Sequence, residues 1–328
     1  MKLIESKAEL ILQQEGLEGV YKQIEFCGRT CYKSEDKIKS GSAKGFVERM
    51  INSKHTAMLE QGTVYLKIPY NWLHRLTHPG LCRKYFKNPY TRVQIMGELV
   101  NELPILGDHL SSRITPYLAI TTNYRVMVEN GWLDDLKYLC EPTEYHEKRY
   151  TFKFTTDRGV SHELVRHRVF SFAQESTRYC NYSKDKFGNE LTFIIPDWCP
   201  EIREDSNKGW DPCSMYDKFY LQHLQMTEDT YFNLLKQWDE KVPDKRYKSG
   251  FRNNPWTPQQ ARQILPNALK TEVCMTGFAS DWRFFFDLRY YGETGRPHPD
   301  MESLAAKAKT AMIQAEVWDD IMAYPSKF

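Results

Sequence analysis

Two hydrophobic rhythms share this chain, and neither runs for long. Period-two alternation occupies Thr63–Ile68, where Val64, Leu66 and Ile68 fall on one side, and returns in Thr151–Thr156 (TFKFTT). Successive strand side chains point to opposite faces, so these runs predict strands. A 3.6-residue period governs about 17–31, through Val20, Ile24, Cys27 and Cys31, and about 43–53, through Phe46, Val47, Met50 and Ile51. Strands and helices mixed without regular alternation predict an α+β fold, a mixed sheet with packed helices.

Punctuation extends this reading. Tyr117–Thr122 reads as a strand, and Asn123–Asn130 as a helix stopped by Gly131. After Gly159, Ser161 is placed to cap a short helix, HELVRHR. A helix covers about 214–241. Thr257-Pro258-Gln259-Gln260 is a capping box with proline at the first helical position, and that helix stops at Pro266. Glu272–Phe278 reads as a strand, Ser280 as the cap of a helix through Tyr291 ended by Gly292, and about Asp300–Met322 as one last helix. Residues 198–213 read as a polar loop. Residues about 70–112, with Pro79, Pro89 and Pro104, read as loops with short elements. The chain is expected to be a single domain, 1–328, with an insertion at about 69–150.

The bulk numbers bound the partners. Charged residues make up 27% and hydrophobic residues 41% of 328, an ordinary soluble composition. A net charge of +2 supplies no bulk attraction to nucleic acid or membrane, and no apolar run reaches transmembrane length. The first residues, MKLIESKAELILQQEG, carry glutamates inside their apolar stretch and do not read as a signal peptide. The 8 cysteines form no CxxC pair, which fits reduced thiols and a cytoplasmic location. Cys27 and Cys31 could ligate a metal, but their helical spacing points to a core, and no metal site is expected.

No GxGxxG, GxxxxGK[ST] or HExxH occurs, so the usual dinucleotide, P-loop and metalloprotease motifs are missing. The stretch that remains is RHRVFSFAQESTRYCNYS: Arg166-His167-Arg168, seven residues, Ser176, then Arg178. Adjacent cations repel and need anions or open water. Arginine forks match phosphate oxygens. Val169, Phe170 and Phe172 would anchor the segment. Such a cluster is either a phosphate or nucleotide site, or a solvated basic turn at a helix end. Arg289 poses a similar choice. It shares a helical face with Trp282, Phe285 and Phe286, so it is either a buried cation with a task or a side chain reaching solvent.

The spacing resembles the signature of the flavin-dependent thymidylate synthases, with Arg178-Tyr179 extending the match. Lys54-His55-Thr56 and Leu59-Glu60 resemble that family's histidine-then-glutamate segment ahead of a strand. Ala261–Pro266 (ARQILP) resembles its arginine-then-Leu-Pro element, and Trp282–Arg289 (WRFFFDLR) its helix ending in Leu-Arg, with His298 following. The likeness covers four segments in order, over about residues 26–310.

The resemblance implies reductive methylation of dUMP to dTMP, with methylenetetrahydrofolate as carbon donor, FAD as cofactor and NADPH as reductant. It implies FAD contacts from His55, Glu60, Arg166, His167, Arg168, Gln174 and His298. It implies dUMP contacts from Glu163, Arg166, Gln174, Glu175, Ser176, Arg178, Arg262 and Arg289. The resemblance also implies that Arg289 is the catalytic residue, stabilising negative charge on the uracil ring as its carbon reacts. No cysteine nucleophile is required; no Pro-Cys-His occurs, since Cys213 follows Pro212 but precedes Ser214. A homotetramer with active sites shared between subunits is implied, in which Arg166 and Arg289 of one site come from different chains. Departures are Phe278-Ala279-Ser280 where the family has Asn-x-Arg, Ala173 for asparagine, Gln174 for glutamate, and Phe284 where a polar flavin contact is found. The alternatives are a flavin enzyme adding another one-carbon group to a pyrimidine nucleotide, and a nucleotide-binding protein without flavin.

Overall fold

The computed structural model describes residues 1–70, 79–100, 113–178, 180–184, 187–199, 203–205, 209–211, 214–236, 242–243, 251–252 and 255–328. The first third contains β1 (Lys2–Ile4), β2 (Lys7–Ile11), α1 (Gly16–Tyr32), α2 (Ser42–Asn52), β3 (Thr63–Pro69), α3 (Pro79–Phe86), β4 (Arg92–Val100), β5 (Arg113–Asn123) and α4 (Tyr124–Glu129). Then come β6 (Arg149–Asp157), α5 (Arg158–Leu164), β7 (Ser171–Gln174), β8 (Thr192–Ile194), the short strands β9 (Arg203–Asp205) and β10 (Gly209–Asp211), and α6 (Met215–Leu235). The last part holds β11 (Val242–Pro243), β12 (Phe251–Arg252), α7 (Pro258–Ala261), β13 (Lys270–Phe278), α8 (Ala279–Arg289), α9 (Pro299–Gln314) and α10 (Trp318–Met322). Among the described residues no helix is long and apolar enough to cross a membrane.

The sheet that positions the site is antiparallel, in the order β2-β6-β13-β7. Phe152, Phe154 and Met275 on one face pack against Trp282, Phe285 and Phe286 of α8 and Met301 and Leu304 of α9. Trp282, Phe285 and Phe286 are all 0% exposed, and burying each such side chain contributes roughly 1.5–3 kcal/mol. The opposite face meets α1, where Cys27 packs with Ala173 and Cys274. A second antiparallel sheet, β3-β5-β4, buries Val64, Leu66 and Ile68 with Val20, Ile24, Phe46 and Val47. A third core joins Phe193, Leu269 and Leu191 to Leu224 and Tyr231 of α6.

The α+β expectation holds, as do the two N-terminal helices and the strands around Val64, Ile120, Phe152 and Val273. Gly131 (φ +68°) ends α4 as expected, and Gln260 Oε1 accepts from Thr257 N (2.9 Å) in the expected capping box.

Other expectations are corrected. Residues 79–100 are not mainly loop: α3 and the nine-residue β4 lie there, and β4 pairs with β5 along its length. The polar segment 198–213 contains the β9–β10 hairpin. The cap of α5 is Asp157, whose Oδ1 accepts from Val160 N (2.9 Å); Ser161 sits inside the helix, which ends at Leu164, before the Arg-His-Arg run. Ser280 is likewise inside α8, its backbone N–H donating to Glu147 Oε1 (3.0 Å). The last helix is two, divided at Ala315–Val317, where Glu316 takes φ +57°. Residues 71–78 and 101–112, Tyr179, Pro212 and Cys213 lie outside the described residues.

Candidate functional site

The Arg-His-Arg run is a turn between α5 and β7. Backbone bonds from Arg166 N to Glu163 O (3.2 Å), His167 N to Leu164 O (3.1 Å) and Phe170 N to His167 O (3.1 Å) fold it. Phe170 pins it to the sheet, with its ring 4.8 Å from that of Trp282. The ring lies where β13 has no side chain: a Cβ on Gly277 would stand 2.3 Å from Phe170 Cδ1. With Phe170 inward, His167 is buried, whereas Arg166 and Arg168 are exposed.

Arg289, in the last turn of α8, meets this turn. Its Nε donates to His167 Nε2 (3.0 Å), its Nη1 to Glu163 Oε2 (2.7 Å), and its Nη2 to Glu163 O (3.5 Å). Because Nε2 accepts, His167 is the neutral imidazole with its proton on Nδ1. Burial, reinforced by the Arg289 charge, pulls its pKa down to about 4. Arg166, Arg168, Arg289 and Lys327 line one cleft of about 320 Å³, closed by Val169, Phe284 and Leu288. Among the described residues no carboxylate lines it. Among the described residues neither Arg166 nor Arg168 makes an ion pair or side-chain hydrogen bond. A cleft with unpaired guanidinium forks and apolar walls fits a ligand that is both anionic and planar.

The other half of the signature lies past the far end of β7. Gln174 Nε2 donates to Ser161 Oγ (2.9 Å). Ser176 N donates to Cys31 O (3.2 Å), tying the loop to the end of α1. Arg178 Nε donates to Gln259 Oε1 (3.2 Å), and Arg262 is exposed just beyond α7. Glu175 is buried in a charge network. It accepts from Lys270 Nζ (3.0 Å) and Tyr182 Oη (3.1 Å), with Lys33 Nζ at 3.9 Å. Glu272 meets Lys33, Lys270 (3.2 Å) and Lys153 (3.4 Å). Burial alone would raise the Glu272 pKa, but Lys270, Lys33 and Lys153 outweigh it and bring it to about 2.

One chain therefore brings Glu163, Arg166, His167, Arg168 and Arg289 together, and holds Ser176, Arg178 and Arg262 elsewhere. Within one chain Arg166 and Arg289 line the same cleft, whereas the sequence expectation drew those of one site from different chains. His55 lies against Tyr32 Oη (3.3 Å) and Glu60 against Arg125 Nη1 (2.5 Å); neither lines the cationic cleft. His298 lines a separate pocket of about 350 Å³ with Trp198, Tyr220, Asp157 and Asp300, which reaches Glu163 from the other side. Sequence reasoning missed Lys327, Lys33 and Lys270. Each makes contacts distant in the chain, Lys327 with Phe284, Lys33 with Glu272 and Lys270 with Glu175. Among the described residues no three His, Cys, Asp or Glu side chains gather as a metal site.

Residues 141–315, more than half of the 328, match the family described as thymidylate synthase complementing protein (Thy1). A relative from Corynebacterium diphtheriae, named flavin-dependent thymidylate synthase, is 30% identical over 155 residues, 46% of this chain. The chain spans about half the length of that relative, 51%. One of the same name from Mycobacterium sp. (strain JLS) is 26% identical over 222 residues, 65% of this chain and 75% of the relative. A solved structure of a UMP/dUMP methylase PolB from Streptomyces cacaoi, bound with 5-Br dUMP, aligns with 99% of this chain and 98% of its own at 14% identity, with a TM-score of 0.41. The chain belongs to the thymidylate synthase complementing protein family.

Proposed function

We propose that this protein is a flavin-dependent thymidylate synthase that methylates dUMP to dTMP, with methylenetetrahydrofolate as carbon donor, FAD as cofactor and NADPH as reductant. The observation that carries the reading is Arg289, oriented by Glu163 and His167 in a cleft whose other arginines have no ion-pair partner among the described residues. The cofactor, when bound, supplies the hydride that reduces the transferred one-carbon unit to a methyl group.

The chain's own residues position and polarise. Three N–H groups of Arg289 are committed to His167 and Glu163. The guanidinium has five, so two remain to face a substrate. As uracil C5 attacks carbon, negative charge grows on the ring carbonyls and the nitrogen between them. A guanidinium fixed beforehand stabilises that charge with no reorganisation at the moment of reaction. His167 accepts at Nε2 and so fixes the guanidinium plane without adding positive charge. Arg166 and Arg168 fit the cofactor's diphosphate, and Ser176, Arg178 and Arg262 fit the nucleotide phosphate.

Those two groups sit past opposite ends of β7 in one chain. The reading accordingly places each site between subunits of a homotetramer, with Arg166 and Arg289 from one chain and Ser176, Arg178 and Arg262 from another. It treats 1–328 as one domain with an insertion at about 69–150, and the protein as cytoplasmic. The test is tritium release from dUMP labelled at C5, with folate donor and NADPH, alongside the visible spectrum and the product mass. Absence of release from flavin-loaded protein ends the reading. For the assembly, co-expressed Arg289→Ala and Arg178→Ala chains are expected to regain part of the activity, whereas co-expressed Arg166→Ala and Arg289→Ala chains regain none beyond that of wild-type sites.

A further inference from the structure

Phe284 stands on α8 where the family resemblance leads one to expect a polar contact to the cofactor. In this chain its ring is covered instead. Phe328 stacks on it, with ring centroids 5.7 Å apart and planes 16° from parallel, and Lys327 Nζ lies 4.9 Å from the Phe284 centroid. The segment is held from a second side: Ser326 Oγ donates to Asp287 Oδ2 (2.9 Å), and Asp287 is 0% exposed. Lys327 thereby lines the cationic cleft with Arg166, Arg168 and Arg289. Among the described residues it makes no ion pair within 4 Å, and Asp281 is the carboxylate that feels its charge at longer range.

We propose that Ser326–Phe328 is a lip of the binding cleft, and that Lys327 is an anion-binding residue supplying from outside α8 the polar contact that Phe284 does not. The geometry suits that role. An aromatic face holds an ammonium by its quadrupole and leaves the N–H groups directed away from the ring. Stacking of Phe328 on Phe284 and the Ser326–Asp287 hydrogen bond fix the backbone on either side of the lysine's attachment, so the ammonium is held over the cleft rather than swept through solvent. Lysine contributes a point charge, whereas Arg166 and Arg168 offer planar forks. Together they match a ligand with two neighbouring phosphoryl groups. The anion site stands on these contacts alone; its assignment to the cofactor's diphosphate rests on the proposed function.

The experiment uses the full chain and two probes, inorganic pyrophosphate by calorimetry and FAD by fluorescence. Lys327→Ala is expected to weaken both by about tenfold, in line with the loss of one charge-assisted bond, with an unchanged thermal unfolding midpoint. Lys327→Arg is expected to stay within about threefold of wild type, because the charge is retained. Phe284→Ala keeps the cation but loses its platform, and is expected to weaken pyrophosphate as well; Phe328→Ala replaces it if that variant does not fold. Lys327→Ala binding pyrophosphate as wild type does, while Arg168→Ala binds it more weakly, overturns the proposal. Weaker pyrophosphate binding in Lys327→Ala with FAD affinity unchanged in every variant keeps the anion site and removes the flavin assignment.

Discussion

Lys270 and Arg168 flank the two ends of the same short strand in space, and their electrostatic surroundings are opposite. Lys270 is 15% exposed and meets both Glu175 (3.0 Å) and Glu272 (3.2 Å). Around it Lys33 and Lys153 complete a set in which every charge has an opposite neighbour. Arg168 and Arg166 are exposed, have no acidic partner among the described residues, and face a cleft shared with two more cations. Removing charges from water is costly unless each is compensated. The buried network is therefore complete as it stands. In the cleft Arg289 has Glu163, while Arg166 and Arg168 are left to water or to something that binds. A mutation in the first region should be read as stability, and one in the second as affinity or rate.

Four outcomes would break or sharpen that contrast. The largest is at Arg289. Replacement by lysine keeps the charge but loses the fork, so tritium release should fall by roughly 10²–10³-fold, the scale seen when one donor to a developing anion is lost. FAD occupancy should hardly change; a variant with near-normal release would remove Arg289 from the chemistry.

Next is Lys270→Met, which leaves Glu175 and Glu272 short of a cation. Breaking a buried pair costs about 3–5 kcal/mol. Because Lys33 still reaches both glutamates, the lower end is expected in urea denaturation, with pyrophosphate binding by the folded fraction intact. A stable protein that fails to bind would put this network in the site.

The pH dependence comes third. The folded pKa of His167, about 4, lies below the ordinary value near 6.5, so the unfolded chain takes up the proton first. Its contribution is fully present above about pH 6.5 and is lost as pH falls toward 4, by at most about 3 kcal/mol. Glu272, depressed from 4.5 to about 2, adds a loss only as pH falls below 4.5. Urea midpoints from pH 7 to 5 in wild type and His167→Gln check this: the variant's stability should fall less steeply than the wild type's, the remaining slope including His146, whose pKa burial also lowers. Parallel curves would show that His167 is not held neutral.

The smallest effect is Arg168→Ala. Its exposed side chain has no partner to lose, so stability should stay within about 0.5 kcal/mol, while FAD affinity drops by about tenfold or more. Measurable destabilisation would mean that the cleft's cations serve the fold.

Legibility in the sequence followed the range of the contacts. The alternation in Thr151–Thr156 and the aromatic face of Trp282, Phe285, Phe286 and Arg289 are local signals, and both were readable. The Arg-His-Arg spacing singles out Arg166, His167 and Arg168, and the helical face singles out Arg289, but neither pattern says that one chain brings them together. What held them was not readable: Phe170 filling the gap at Gly277 is a contact between distant strands. Ser161 was preferred as a cap because it follows Gly159, yet Asp157 does the work, as any oxygen acceptor three residues before the right N–H could. The β4 strand was hidden between prolines. Lys270 and Glu272, two apart on β13, are local neighbours, but only the sheet and the end of α1 bring Lys33, Lys153 and Glu175 to them.

The four residues of β7 also say why seven positions separate Arg168 from Ser176. Ser171 through Gln174 lie opposite Thr276 through Val273, with Ser171 and Ala173 buried and Phe172 and Gln174 half-buried. The gap is thus a gauge counted in pleats. One inserted residue would invert the gauge, turning Ala173 away from Cys27 and Cys274 and sending the following Ser176 amide off Cys31. Two would restore the phase but lengthen the gauge by about 7 Å, more than a hydrogen bond can absorb. In this fold the seven-residue interval is a length and a parity at once.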